Sequence, residues 1–227
     1  MRRLLSPSPQ WGGWALALLL FASGFAPAAF AQSPPGRFDY YLLSLSWSPS
    51  YCAEPDMAAR DPRQCGRERR FAFVVHGLWP QHERGWPSDC AGAPRDAPAP
   101  LVASMLDLMP SPRLVEHEWD AHGKCPGLSP QAYFERTRRA RAKVAIPAHY
   151  VAPARALTVT GAEVERAFVA ANPGLTPAMV AVQCDRTRLR EVRVCLTKDL
   201  RYRTCGADVR DRCGSAKVAM PPARAGR

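Results

Sequence analysis

The stretch RFAFVVHGLWPQ, from Arg70 to Gln81, predicts a β-strand that carries a histidine near its end. Large apolar side chains stand at every second position from Phe71 to Val75, so they fall on one face of the strand. His76 falls on the other face, and Gly77 and Pro80 mark the predicted end of the strand. A histidine in this setting is more often structural than catalytic, so its role depends on what the rest of the chain provides.

The elements around this strand predict a mixed fold. The stretch FDYYLLSLSWSPSYC, from Phe38 to Cys52, indicates another strand that runs into a Ser-Pro turn. Short strands are also predicted in MVAVQC, LREVRVCLT and RYRTC near the end of the chain. Helical patterns cover residues 101–109, 114–122, 129–141 and 160–174, with Ser129 as an N-cap. Because strands and helices do not alternate strictly, we expect an α+β fold with a mainly antiparallel sheet and packed helices in a single domain.

The first 31 residues have the pattern of a secretory signal peptide. Two arginines, Arg2 and Arg3, precede an apolar run from Trp14 to Phe25 and a small-x-small site that ends at Ala31. The run is shorter than the roughly 20 residues that span a bilayer, so no membrane attachment is predicted. Cleavage after Ala31 would leave a chain that begins at Gln32 and has the length of one domain.

The cysteine count and the net charge indicate the compartment of the protein and the kind of partner it binds. The 227 residues include 8 cysteines, an even number that predicts four disulfides in an oxidising compartment. The formal net charge of +11 favours a polyanionic partner, such as nucleic acid, anionic lipid or acidic glycan. A composition rich in Ala, Arg and Pro is typical of a GC-rich bacterium, so we expect a periplasmic or secreted protein.

The segment HEWDAHGKC, from His117 to Cys125, holds two of the five histidines of the chain. On an α-helix of about 100° per residue, His117, Glu118 and His122 share one polar arc and Trp119 lies opposite. The two rings diverge by about 140°, which suits a zinc ion poorly, and no metal is predicted. Glu118 and His122 are four residues apart and can touch. By itself the segment is equally consistent with a solvated helix face that contains an ion pair.

His76 and His122 together provide what the cleavage of a phosphodiester needs. One imidazole can accept a proton from the nucleophile, and the other can donate a proton to the leaving oxygen. A third cation, His117, could stabilise the charge of the phosphate. The indole rings of Trp47, Trp79 and Trp86 could stack on bases.

The two segments that contain these histidines resemble the ribonuclease T2 family. FVVHGLWPQ and HEWDAHGKC are similar to the two active-site segments of that family, usually written HGLWP and HEWxKHGxC. Three further segments, LSLSWSPSYC, WPSDC and LREVRVCL, extend the resemblance from about Phe38 to Cys213. The sequence therefore predicts a ribonuclease domain over residues 32–213, followed by a basic, disordered tail over residues 214–227.

The resemblance implies a role for each site residue. His76 would be the general acid, His122 the general base and His117 a phosphate ligand, while Glu118 would assist at the phosphate or tune the base. Trp79 would pack at the site or under a base. Two further positions would belong to the base site: Gln81, where relatives often have an acidic or amide residue, and Trp86, where they have a stacking tyrosine.

The implied reaction is the cleavage of RNA without a metal or other cofactor. The 2′-hydroxyl attacks the neighbouring phosphorus and gives a 2′,3′-cyclic phosphate, which water can later open to a 3′-phosphate. One histidine must be protonated and the other neutral, which favours a mildly acidic to neutral optimum. The expected partner is an RNA substrate, and the expected state is a monomer.

Spacing alone leaves the disulfide pairing open, since the last four cysteines allow three arrangements. The resemblance implies Cys184–Cys213 around Cys195–Cys205. It also implies Cys52–Cys65, and Cys90–Cys125 between the base-site loop and the end of the catalytic helix.

Ala121 departs from the family pattern, which has a lysine at this position. The lysine would face the phosphate, so either Lys124 replaces it in part or an arginine from elsewhere does. The departure keeps an alternative open, namely an RNA-binding or toxin-like interaction protein with weakened catalysis. A basic protein that binds anionic glycans or envelope surfaces is a second alternative, but it would not explain the histidines.

Overall fold

The computed structural model describes residues 34–66, 71–87, 90–92, 94 and 96–223. Its central sheet has four antiparallel strands in the order β2-β1-β5-β4, where β1 is Tyr40–Trp47, β2 is Phe73–Gln81, β4 is Val180–Cys184 and β5 is Leu189–Leu196. A second sheet pairs β3, Leu157–Val159, with β6, Val218–Met220. The predicted α+β class with a mainly antiparallel sheet is confirmed.

Seven α-helices lie within the described ranges. They are α1 Ser48–Cys52, α2 Met57–Arg60, α3 Pro62–Cys65, α4 Ala99–Ser104, α5 Pro112–Glu118, α6 Pro130–Lys143 and α7 Gly161–Ala171. Short 3₁₀ turns cover Ala148–Tyr150 and Pro177–Met179. Ser129 caps α6 as predicted, because its side chain accepts a hydrogen bond from the Ala132 amide. No helix in these ranges is long and apolar enough to cross a membrane.

The core lies between one face of the central sheet and the helices. Trp119 and Tyr133 are almost inaccessible to solvent, and Trp119 donates its Nε1 hydrogen to the Pro94 carbonyl. Trp47 is also fully buried and donates to the Pro221 carbonyl. The suggestion that Trp47 could stack on a base is therefore wrong, since the strand directs this indole into the core.

Two predicted segments at the end of the chain differ from the structure. RYRTC is not a strand, because only Tyr202 forms a bridge, to Leu196. The prediction of a disordered tail is wrong for its described apolar part. Val218 and Met220 are buried, and their strand β6 pairs with β3, which sequence analysis did not find.

The structure contains the four disulfides that the resemblance implied: Cys52–Cys65, Cys90–Cys125, Cys184–Cys213 and Cys195–Cys205. The described residues from Pro34 onward belong to one domain. The predicted signal peptide and its cleavage site lie outside the described residues.

Candidate active site

His76 occupies a β-bulge in the sheet. Ser44 pairs with Gly77, whereas its neighbour Leu45 pairs with Val75, so His76 is an extra residue in β2. The strand does not end at Gly77, as the sequence suggested, but continues through the bulge to Gln81. Bulges bend a strand and redirect a side chain, which explains how an imidazole comes to lie beside residues of three different elements.

Two carboxylates flank the His76 ring, one at each nitrogen. Nδ1 lies 2.6 Å from Glu191 Oε1 on β5, and Nε2 lies 3.6 Å from Glu118 Oε1 at the end of α5. Burial lowers the pKa of His76, but the hydrogen bond and charge of Glu191 and the charge of Glu118 outweigh this effect and raise it. The site therefore favours a protonated His76.

Glu118 is buried under the indole of Trp79. It is 1% exposed, and its Oε2 accepts a hydrogen bond of 2.6 Å from Trp79 Nε1. Burial raises the pKa of Glu118 to about 7, although the charge of His76 and the Trp79 hydrogen bond oppose the shift. Sequence analysis placed Glu118 beside His122, whereas the structure directs it toward Trp79 and His76.

Gly77 makes this packing possible. A Cβ atom at residue 77 would overlap both the Glu118 carboxylate and Trp79 Nε1. The requirement is close approach, since only hydrogen fits at this point of the bulge.

Both predicted catalytic imidazoles lie against the indole of Trp79. Its ring centroid is 5.1 Å from that of His76 and 5.5 Å from that of His122. The structure thus brings His76, Trp79, Glu118 and His122 together. The sequence predicted acid–base chemistry for the two histidines and Glu118, and packing at the site for Trp79.

His122 lies in a π-helical turn, Trp119–Gly123, that follows α5 directly. Sequence analysis predicted a regular α-helix that runs to His122, and its last part is wrong, because these residues form the π turn. A π turn closes hydrogen bonds five residues apart, and such turns are frequent at functional sites. It also changes the angles between side chains, so the divergence of about 140° expected for an α-helix does not apply here.

His117 is exposed and lines a cavity of about 320 Å³ that also reaches His76. Arg60 and Arg113 contribute to the same cavity. His117 and Arg113 also border a second depression with Glu116 and Asp120. An anion in the first cavity would therefore meet cations from several sides.

The two predicted base-site residues have different environments. Trp86 is 60% exposed, as a stacking platform requires. Gln81 is buried, and its amide donates to the neighbouring Pro80 carbonyl. The structure does not bring either side chain into contact with His76.

The charge of Lys124 is paired within its own turn. Lys124 contacts Asp120 and lines a separate depression with Ala91, Gly92 and Leu128. Its position therefore does not support the expected compensation for Ala121. The arginines that line the first cavity are the other candidates for this role.

Sequence analysis missed Glu191 and Arg193. Arg193 donates from Nε and Nη2 to Glu191 Oε2 at 2.9 and 2.8 Å, and its guanidinium carbon lies 5.1 Å from the Trp79 ring centroid. The signal was present in LREVRVCL, where charged residues alternate with apolar ones on a strand that is otherwise buried. Within the described ranges, no cluster of three or more potential metal ligands occurs.

The domain is disulfide-bonded and of the α+β class, and two imidazoles contact one indole beside buried carboxylates. These groups can perform acid–base catalysis. Comparison with known proteins identifies the family. Residues 38–205 match the model of the Ribonuclease T2 family. A ribonuclease of Aeromonas hydrophila is 35% identical over 196 residues, which cover 80% of this chain and 82% of that protein. Ribonuclease DdI of Dictyostelium discoideum is 28% identical over 208 residues, covering 81% and 86%.

A solved structure supports the fold. The crystal structure of RNase NT in complex with 5′-AMP superposes with a TM-score of 0.62 at 22% identity, over 82% of this chain and 99% of that one. The chain belongs to the ribonuclease T2 family. It is a T2-type ribonuclease, and RNA is its substrate.

Proposed function

We propose that the enzyme cleaves single-stranded RNA internally by transphosphorylation. His122 accepts the proton of the 2′-hydroxyl, whose oxygen attacks the adjacent phosphorus. As the P–O5′ bond breaks, His76 donates a proton to the leaving oxygen, which gives a 2′,3′-cyclic phosphate and a free 5′-hydroxyl. Water can then open the ring to a 3′-phosphate, with the two histidines in exchanged roles.

The observation that carries this proposal is that the rings of both His76 and His122 lie against the Trp79 indole. An acid and a base require different protonation states. His76 has two carboxylate neighbours that favour its charged form, so it is the better acid. His117, Arg60 and Arg113 would offset the charge of the phosphate from the cavity side.

The four disulfides support a further part of the proposal, that the enzyme works in the periplasm or outside the cell after removal of residues 1–31. N-terminal sequencing of the protein recovered from the periplasm or medium tests this part. A mature chain that begins at Gln32 is the expected result. We also propose that the enzyme acts as a monomer, for which sedimentation at working concentration is the test.

The chemistry is tested with two matched oligonucleotides in the presence of EDTA. One has a single ribonucleotide in a strand of 2′-deoxy nucleotides, and the other has a 2′-deoxy nucleotide at that position as well. We expect a 2′,3′-cyclic phosphate from the first and an intact second strand, with no effect of the chelator. Loss of cleavage with EDTA that a divalent ion restores, or cleavage of the deoxy strand, would refute the mechanism. Tight binding without cleavage of either strand would favour the RNA-binding alternative that Ala121 keeps open.

A further inference from the structure

Glu191 uses both carboxylate oxygens within the sheet. Oε1 accepts from His76 Nδ1 at 2.6 Å and from the Ser46 hydroxyl at 3.3 Å. Oε2 accepts the two hydrogen bonds from Arg193. With 9% of its surface exposed, Glu191 is held in one orientation by partners on three strands.

This arrangement forms a chain from Arg193 through Glu191 to His76. Burial would raise the pKa of Glu191, but the hydrogen bond and charge of His76 and the charge of Arg193 lower it to about 2. The carboxylate is therefore ionised throughout the pH range in which histidine titrates. An ionised carboxylate at Nδ1 keeps a proton on that nitrogen in both states of the ring.

We propose that Glu191 is the positioning residue for His76, restricting its proton exchange to Nε2, while Arg193 fixes Glu191. This inference rests on the proposed function, since it assigns a support to the general acid of that reaction. Glu191 does not touch the reacting atoms. Its effect is transmitted entirely through the imidazole.

The charged groups that contact His76 are Glu118, at the end of α5, and Glu191, with Arg193 close by on β5. The His122 ring lies against Trp79, and the cavity wall carries Arg60, Asp61, Arg113 and His117 together with the Tyr51 phenol. A substitution at Glu191 alone leaves all of these groups in place. The resulting change in His76 therefore measures the contribution of one carboxylate.

The decisive variant is Glu191→Gln, which keeps the size and an acceptor oxygen but removes the charge. An opposite charge at contact distance shifts a pKa by about one to three units, so we expect the His76 pKa to fall by about that amount. Nuclear magnetic resonance of the imidazole reports this titration without turnover. The alkaline limb of kcat/KM for dinucleotide cleavage should move down by the same amount.

Two further variants separate positioning from simple structural support. Glu191→Asp retains the charge, so its alkaline limb should lie closer to the wild type than that of Glu191→Gln. Glu54→Gln is the matched control, because Glu54 is also a carboxylate paired with arginines, Arg188 and Arg190. It should leave the His76 titration and the pH profile unchanged.

The inference is overturned if Glu191→Gln leaves the His76 pKa and the alkaline limb in place, or if Glu54→Gln shifts them equally. Thermal unfolding of each variant shows that the fold is intact. The two proposals fail in distinguishable ways. An unchanged His76 titration refutes the role of Glu191, whereas absence of the cyclic phosphate from the wild-type reaction refutes the proposed function.

Discussion

Replacing Gly77 with alanine is expected to disrupt the centre of the site through one added carbon. The new Cβ would overlap the Glu118 carboxylate and Trp79 Nε1, so at least one of these groups must move. Since Glu118 is 1% exposed, it cannot rotate into water without displacing the core around it.

The cost has two parts. Overpacking in a well-packed interior costs about 1–3 kcal/mol. Loss of the hydrogen bond between Trp79 and the buried Glu118 carboxyl adds about 1.5–3 kcal/mol. The free energy of unfolding of Gly77→Ala should therefore fall by about 2.5–6 kcal/mol, which many domains survive, since they begin with about 5–15 kcal/mol.

Denaturant unfolding followed by tryptophan fluorescence measures this difference, and dinucleotide cleavage measures the loss of activity. Gly214→Ala is the control, because a Cβ there meets no atom within 4 Å. The double variant Gly77→Ala/Glu118→Ala should lose less stability than the two single changes added together, since it removes one of the overlapping groups. A Gly77→Ala protein within about 0.5 kcal/mol of the wild type, with full activity, would refute the reasoning.

Three further predictions concern the same site. His76→Ala and His122→Ala should each lower kcat by about 10²–10⁴-fold with little change in unfolding, and near-normal turnover of a dinucleotide by either variant would make that histidine structural. Ala121→Lys should raise the rate of cyclisation, whereas Lys124→Ala should change it little, because Lys124 is paired with Asp120; single-turnover rates of both variants give the answer. The raised pKa of Glu118, about 7 against an ordinary 4.5, means that the folded state binds the proton more tightly, so the stability associated with this group is present at low pH and is lost as pH rises from about 4.5 through 7. Glu118→Gln should flatten that part of the curve of unfolding free energy against pH, and an unchanged slope would contradict the assignment.

The sequence predicts those helices and strands whose signals lie in residues close together in the chain. The alternation around Val75 gives β2, and Ser129 before Pro130 marks the start of α6, because each depends on residues close in the chain. The β-bulge at His76 cannot be predicted from such a local pattern. It arises where β1 and β2 pair, and alternation within β2 does not report that pairing.

The candidate site also contains residues that the sequence predicts and residues that it does not. The family motifs contain His76, Trp79, Glu118 and His122, and the structure brings these four together. Glu191 was missed because a single acidic residue in an apolar strand does not indicate which histidine it contacts. The orientation of Lys124 could not be predicted either, because an α-helical wheel does not describe the π turn that precedes this residue.

The pair His76–Glu191 joins residues that lie 115 positions apart in the chain. During synthesis, every residue of both active-site motifs has been made long before β5 emerges. A nascent chain therefore carries the recognisable motifs of a ribonuclease while it still lacks the partner that holds His76. His76 gains this support only when β5 has been made and has joined β1 in the sheet.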